Sequence, residues 1–292
     1  MRLIVFRHGD GEPKAGVLLN EYVVDISEYG DRSTVDGWLS LLPEARSDLM
    51  SELATNTLPQ YALADVRLEA PVRKPTKLIA IGVNYLDHCR EQGIEPPREP
   101  LVFSKFPSSI TGPQDMIIWD PTLTRQVDPE IELGVVIGRR CRAVSTEEAL
   151  SYVFGYTVVN DVSARDLQFG DGQWARGKSL DTFCPIGPCV VTADEIPDPQ
   201  NLRLQLWVND RLQQEGTTAD MIFSVAQIVA HISRFATLEP GDLITTGTPK
   251  GVGCFRDPPI YLASGDIVRC AIEGIGELVN LTRAATAVSA LA

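Results

Sequence analysis

Short apolar runs of strand type recur along this chain, with turn residues between them. Residues 3–6, 16–19 and 21–26 form three such runs, and Gly9-Asp10-Gly11 separates the first two as a turn. Residues 78–83, 131–137, 156–160, 243–246 and 267–272 add more. The run 202–208 alternates, with Leu202, Leu204, Leu206 and Val208 on one face. Helical patterns are fewer. Ser145-Thr146-Glu147-Glu148 reads as a capping box that starts a helix through Tyr152. Residues 224–235 carry Val225, Ile228, Val229 and Ile232 as one stripe. Across 34–55, Trp38, Leu41, Leu42, Leu49 and Leu53 fall at helical spacing, with Pro43 as a break or a start. Strands outnumber helices and do not alternate regularly with them. That predicts a mainly β, mixed α+β architecture with short helices rather than a doubly wound sheet. Pro71 and Pro75 flank a linker-like stretch, which divides the chain into a small N-terminal domain over 1–70 and a larger domain over 71–292.

Composition excludes several functions. The chain has 292 residues, 44% hydrophobic and 22% charged, which is ordinary for a globular fold and not for a disordered one. Its net charge is -13, and no basic patch stands out, so nucleic acid and anionic membranes are poor partners. A small anionic substrate remains compatible, because a few buried Arg or Lys residues can dominate one pocket. No apolar run approaches the ~20 residues that span a bilayer. Charges interrupt the first ten residues, which differ from a signal peptide, and a cytoplasmic location is expected. The six cysteines form no Cys-x-x-Cys pair, so free, mostly buried thiols are expected rather than a zinc ribbon.

Glu130 and Glu132 stand one residue apart in a strand-like run, with apolar Ile131 and Leu133 as alternates. Period-two geometry puts both carboxylates on one face, ~6.5–7 Å apart at the backbone. Two acids on a buried face are costly unless a cation neutralises them. Asp161 closes the apolar run 156–160. Three hard oxygen ligands without a nearby Cys or His pattern suit Mg²⁺ or Mn²⁺, with water or substrate in the remaining positions. Alone, however, a Glu-x-Glu pair also describes an ordinary solvent-facing strand.

Ordered segments around these acids supply the context. They are Gly-Val-Asn-Tyr-Leu-Asp-His-Cys-Arg-Glu at 82–91, Phe-Ser-Lys-Phe-Pro-Ser-Ser at 103–109 and Asp-Pro-Glu-Ile-Glu-Leu-Gly at 128–134. Gly-Tyr-Thr-Val-Val-Asn-Asp-Val-Ser-Ala-Arg-Asp-Leu-Gln at 155–168, Gly-Lys-Ser-Leu-Asp-Thr-Phe at 177–183 and Thr-Gly-Thr-Pro-Lys-Gly at 246–251 follow. In order and spacing the series resembles the fumarylacetoacetate hydrolase family over about residues 77–282, and within it bacterial-type members similar to the acylpyruvate hydrolases, the 2,4-diketo-3-deoxy sugar acid hydrolases or the FAH domain-containing protein 2 group. The resemblance implies a mixed β-roll catalytic domain behind a small N-terminal α/β domain, usually as a homodimer. It implies metal ligation by Glu130, Glu132 and Asp161, a lid dyad of His88 and Glu91, and substrate contacts from Tyr85, Arg165, Gln168, Lys178 and Thr248. Pro129 departs from the aromatic residue many members carry there.

The chemistry of these residues agrees with that implication. His88 and Glu91 are three apart, side by side on one helical turn, and a Glu beside a His orients it as a general base. The alternative is an incidental surface pair. His8 and His231 read as packed or boundary residues. Lys178 and Arg165 would offset a surplus of negative charge in a metal site holding an anionic substrate. The glycine-rich turn at 247–253 lacks the entry into a helix that a phosphate loop needs. Its amides and the Thr248 hydroxyl fit a substrate carboxylate better. Residues 93–100 and 169–176 read as loops flanking the site, consistent with a lid. Three functions remain open. The first is hydrolysis of a C–C bond in a 2,4-dioxo acid, with Lys178 and the metal stabilising the leaving enolate. The second is oxaloacetate decarboxylation or 2-oxo-acid tautomerisation at the same site. The third is an inactive binding relative.

Overall fold

The computed structural model describes residues 1–29, 43–55, 57–170 and 172–285. Strands β1 (Arg2–His8), β2 (Lys14–Leu19), β3 (Tyr22–Asp25), β4 (Gln60–Ala62) and β5 (Val66–Glu69) open the chain, with helix α1 (Pro43–Thr55) before β4. Pro43 therefore starts a helix, where its fixed φ and missing N–H are harmless. Trp38, Leu41 and Leu42, assigned above to the same helix, lie outside the described residues.

Next come β6 (Leu78–Gly82), α2 (Leu86–Gln92), β7 (Leu101–Ser104), β8 (Ile131–Ile137), α3 (Thr146–Ala149) and β9 (Val153–Asn160). Helices α4 (Arg165–Gly170) and α5 (Trp174–Lys178) lead to β10 (Cys184–Thr192). These helices correct the loop expected at 169–176. Each is a turn or two long, too short for an apolar period to show in sequence. The chain ends with β11 (Arg203–Val208), β12 (Arg211–Thr217), α6 (Val225–Phe235), β13 (Leu243–Thr245), β14 (Ile267–Ile272) and β15 (Gly276–Ala284). The mainly β architecture with short helices is as expected. The Ser224 capping box of α6 is complete, its hydroxyl accepting from Gln227 N–H while the Gln227 side chain accepts from Ser224 N–H.

A twelve-stranded sheet runs in the order β4-β3-β2-β1-β10-β9-β8-β13-β6-β7 along its main path. Its two faces bury alternate residues of the same strands. Ile4, Phe6, Leu133, Val135 and Val158 join the core shared with α6 and with Leu204, Leu206, Val268 and Cys270 of a second, five-stranded sheet. Leu3, Val5, Val136, Val159 and Ile186 join a separate core with Leu49 of α1. Strand β8 is thus buried on both sides throughout.

This topology positions the site. Strand β8 is antiparallel to β9 and β13, while β13 is parallel to β6. The start of β8 therefore lies at the sheet end where β6, β9 and β13 finish, and the segments after those strands converge there.

Candidate active site

Glu130 precedes β8 and Glu132 is its second residue, while Asp161 directly follows β9. Pairing of Ile131 with Asn160, sealed by Asp161 N–H donating to Glu130 O at 2.8 Å, brings the three acids together. Each offers a carboxylate oxygen within 4.8 Å of the others, and all three are buried. The geometry that period-two spacing required of Glu130 and Glu132 is present.

Cations surround this group unequally. Arg165, the first residue of α4, donates to Glu130 Oε1 from Nη2 at 2.5 Å and to Asp128 Oδ2 from Nε at 2.9 Å. Lys178, the last of α5, donates from Nζ to Glu130 Oε2 and to Asp161 Oδ2, both at 2.7 Å. Lys105 donates to Asp161 Oδ1 at 2.6 Å and to the carbonyls of Phe183 and Lys178. Glu132 accepts Gly247 N–H at 2.8 Å but makes no ion pair among the described residues. Burial penalises the ionised form of both glutamates. For Glu130, the charges of Arg165 and Lys178 outweigh that penalty and hold the carboxyl down at about 2. For Glu132, burial and the neighbouring Asp161 and Glu130 all push the carboxyl well above its usual range. Burial lowers Lys178, but Asp161 and Glu130 prevail and raise it.

The acids line a cavity of about 50 Å³ together with His88, Arg165, Gln168, Lys178 and Thr248. So the chain folds eight of the ten expected site residues onto one surface. Glu91 sits behind His88: one oxygen lies 2.8 Å from Nδ1, and the other accepts Gly251 N–H at 2.8 Å. Tyr85 is placed differently. It is fully buried, does not line the cavity, and its hydroxyl has no hydrogen-bond partner among the described residues. The turn after β13 also differs from expectation. Its amides at Gly247, Gly251 and Gly253 donate to Glu132, Glu91 and Asp128. Thr248 donates to Ile131 O and accepts from Gln214 Nε2. The three amides thus hold the protein's own carboxylates, whose burial makes unpaired oxygens costly, and are engaged before any substrate arrives.

Several site residues escaped the sequence reading. Lys105 is 1% exposed and Asp128 fully buried. Gln214 bridges Ile131 N–H to Thr248 and Pro249. Asn160 accepts Glu130 N–H at 3.0 Å. Asp128 had a signal, since an acid two residues before Glu130 shares its period-two face. Lys105, between two phenylalanines, showed only a charge inside an apolar run.

The model of the fumarylacetoacetate (FAA) hydrolase C-terminal domain matches residues 77–282. Oxaloacetate tautomerase FAHD2B, mitochondrial, of Bos taurus is 46% identical over 239 residues, 81% of this chain and 76% of the relative. The structure of a fumarylacetoacetate hydrolase from psychrophilic Exiguobacterium antarcticum superposes with a TM-score of 0.85 at 38% identity, covering 98% of this chain and all of the other. Maleylpyruvate hydrolase from Sphingobium sp. SYK-6, in complex with manganese(II) and pyruvate, superposes with a TM-score of 0.80 at 32% identity, over 97% and 99% of the two chains.

Proposed function

We propose, from the premise that this chain belongs to the fumarylacetoacetate hydrolase family, that it forms the enolate of a small 2-oxo acid, by hydrolysing a C–C bond in a 2,4-dioxo acid. One observation carries the metal dependence: three buried carboxylates converge, and Glu132 among them has no ion-pair partner among the described residues. Four buried carboxylates, Asp128, Glu130, Glu132 and Asp161, face three buried cations, Lys105, Arg165 and Lys178. A divalent ion turns the deficit of one charge into an excess of one, and a monoanionic 2-oxo acid then brings the site to balance. An all-carboxylate donor set suits Mg²⁺ or Mn²⁺. When bound, the ion supplies Lewis-acid polarisation of the 2-oxo group.

The chain's own residues supply the rest. Glu91 holds His88 through Nδ1, which leaves Nε2 to take a proton from water. The water oxygen bonds to the carbonyl carbon at position 4, the C3–C4 bond breaks, and its electron pair passes into the pyruvate enolate. The proton on His88 then returns to C3. Lys178, whose ammonium is pinned by Glu130 and Asp161, sits in the cavity wall to stabilise the negative charge.

A second reading is favoured by the tautomerase relative. Oxaloacetate yields an enolate without attack by water: loss of CO2 from C4 leaves the pyruvate enolate, whereas removal of a C3 proton leaves its own enolate and returns the tautomer with no C–C cleavage. Turnover of acetylpyruvate and of oxaloacetate with added Mg²⁺ or Mn²⁺ separates the two. His88→Ala should reduce hydrolysis more than oxaloacetate decarboxylation, and equal losses count against the role given to His88. No turnover of any 2-oxo acid by metal-loaded protein contradicts both readings. Six free thiols, five of them buried, support a reducing, cytoplasmic location. Exposed Leu101 on edge strand β7, Phe106 just after it, and Phe235, which lines a surface cavity with Val102 and Phe103, support a homodimer.

A further inference from the structure

Strand β6 ends at Gly82, and Val83 after it has a φ of 54°. This left-handed conformation is easy for glycine and tolerable for asparagine, but a β-branched side chain enters it only under constraint. Among the described residues, Val83 alone of the five non-glycine residues with positive φ lines the cavity.

The constraint is visible on both sides. A Cβ on Gly82 would collide with the indole of Trp174, so the backbone there lies flat against α5. On the other side, Asn84 donates to Thr246 O at 2.8 Å and Phe223 O at 3.1 Å and accepts Phe223 N–H at 2.9 Å. Its own carbonyl accepts Ile222 N–H at 2.8 Å. Clamped at both neighbours, residue 83 has no freedom to relax to a right-handed conformation. Yet its side chain belongs to neither apolar core and is only half-buried. A β-branched residue that joins neither core and strains its backbone lines the same cavity as Trp174, Phe103 and His88. Phe103 and Trp174 meet edge to face at 5.2 Å, forming a rigid apolar wall.

We infer that Val83 is a specificity-determining residue: with Phe103 and Trp174 it limits the substituent beyond the 2-oxo-acid group to a short, unbranched one. The substrates are then 2-oxo acids of four or five carbons rather than aryl or long-chain ones. This assignment rests on the reading of the site as a 2-oxo-acid site. One methylene in an apolar pocket changes kcat/KM by about 10–200-fold, so an isopropyl group is enough to set such a limit.

The test compares wild type, Val83→Gly and Val83→Ala with Mn²⁺ on acetylpyruvate and on benzoylpyruvate. Wild type should favour acetylpyruvate, and Val83→Gly should shift the kcat/KM ratio toward benzoylpyruvate by about tenfold or more, with Val83→Ala between. Glycine removes the strain, so the Tm of metal-free Val83→Gly should stay within about 2 °C of wild type or rise. A ratio unchanged within about twofold in both variants overturns the assignment, since it is smaller than one methylene's effect. So does a large fall in Tm without a change in ratio, which marks a packing role. If wild type turns over neither compound, calorimetry of pyruvate against phenylpyruvate reads the same ratio as affinity. A shift there upholds Val83 while the reaction reading fails. No binding of either ligand is a failure of the 2-oxo-acid site itself.

Discussion

Glu130 and Glu132 stand two positions apart and meet opposite electrostatics. Arg165 and Lys178 hold Glu130 at about 2 against the effect of burial, so its contribution to stability is complete above about 4.5 and is lost as pH falls toward 2. Glu132 is raised by burial, Asp161 and Glu130, so its ionisation opposes folding. That opposition is absent below about 4.5 and grows as pH rises toward its elevated value. A bound cation removes it. The gain in Tm on adding Mn²⁺ should therefore increase from pH 5 to pH 8 on thermal melting, and a gain independent of pH contradicts the account. Lys105 anchors Asp161 and three backbone carbonyls, those of Val162, Lys178 and Phe183, from inside the core. Lys105→Met should leave Asp161 Oδ1 without its buried cation, with Lys178 alone still paired to Oδ2, and destabilise the protein by about 3 kcal/mol in denaturant titration. At this scale the acids were legible because period-two spacing fixes a face before any contact is known. Lys105 was not, because its partner lies 56 residues on and nothing local names it.

Elements carry the site to one end of the sheet. Strand β8 was legible to the residue, because Ile131, Leu133, Val135 and Ile137 make one face wholly apolar and Val136 follows Glu132 and Gly134 on the other. Helices α4 and α5 were not, since their identity depends on packing around Arg165 and Lys178 rather than on any periodicity of their own. Gly177 shows that packing: a Cβ there would lie 2.6 Å from Gln168 N. Helix α2 joins the turn after β13 through Glu91, which touches both His88 and Gly251. Glu91→Ala should lower kcat about 10²-fold or more while leaving Mn²⁺ affinity unchanged, as measured by steady-state kinetics beside a metal titration. An equal fall in metal affinity indicates that α2 shapes the metal site instead of orienting His88.

Across the whole molecule, the boundary near Pro71 leaves all the site residues on its C-terminal side, yet the sheet runs through it. Strand β1 pairs with β10, and Leu3 and Val5 share a core with Val136, Val159 and Ile186. Residues 71–292 produced alone should lose cooperative thermal unfolding, because that core is left open on one side; a sharp transition near the full-length Tm would show two independent units. Sequence marked the linker through its prolines but was silent on this pairing, which depends on β1 meeting a strand some 180 residues later. The proposed function depends on Glu130, Glu132 and Asp161 holding one divalent ion. The direct measurement is titration with Mn²⁺, following the electron paramagnetic resonance of the free ion. Wild type should take up one ion per chain, and Glu132→Gln should weaken binding about 10²-fold or more, since it removes a charged ligand. Equal uptake by the two proteins would contradict the account.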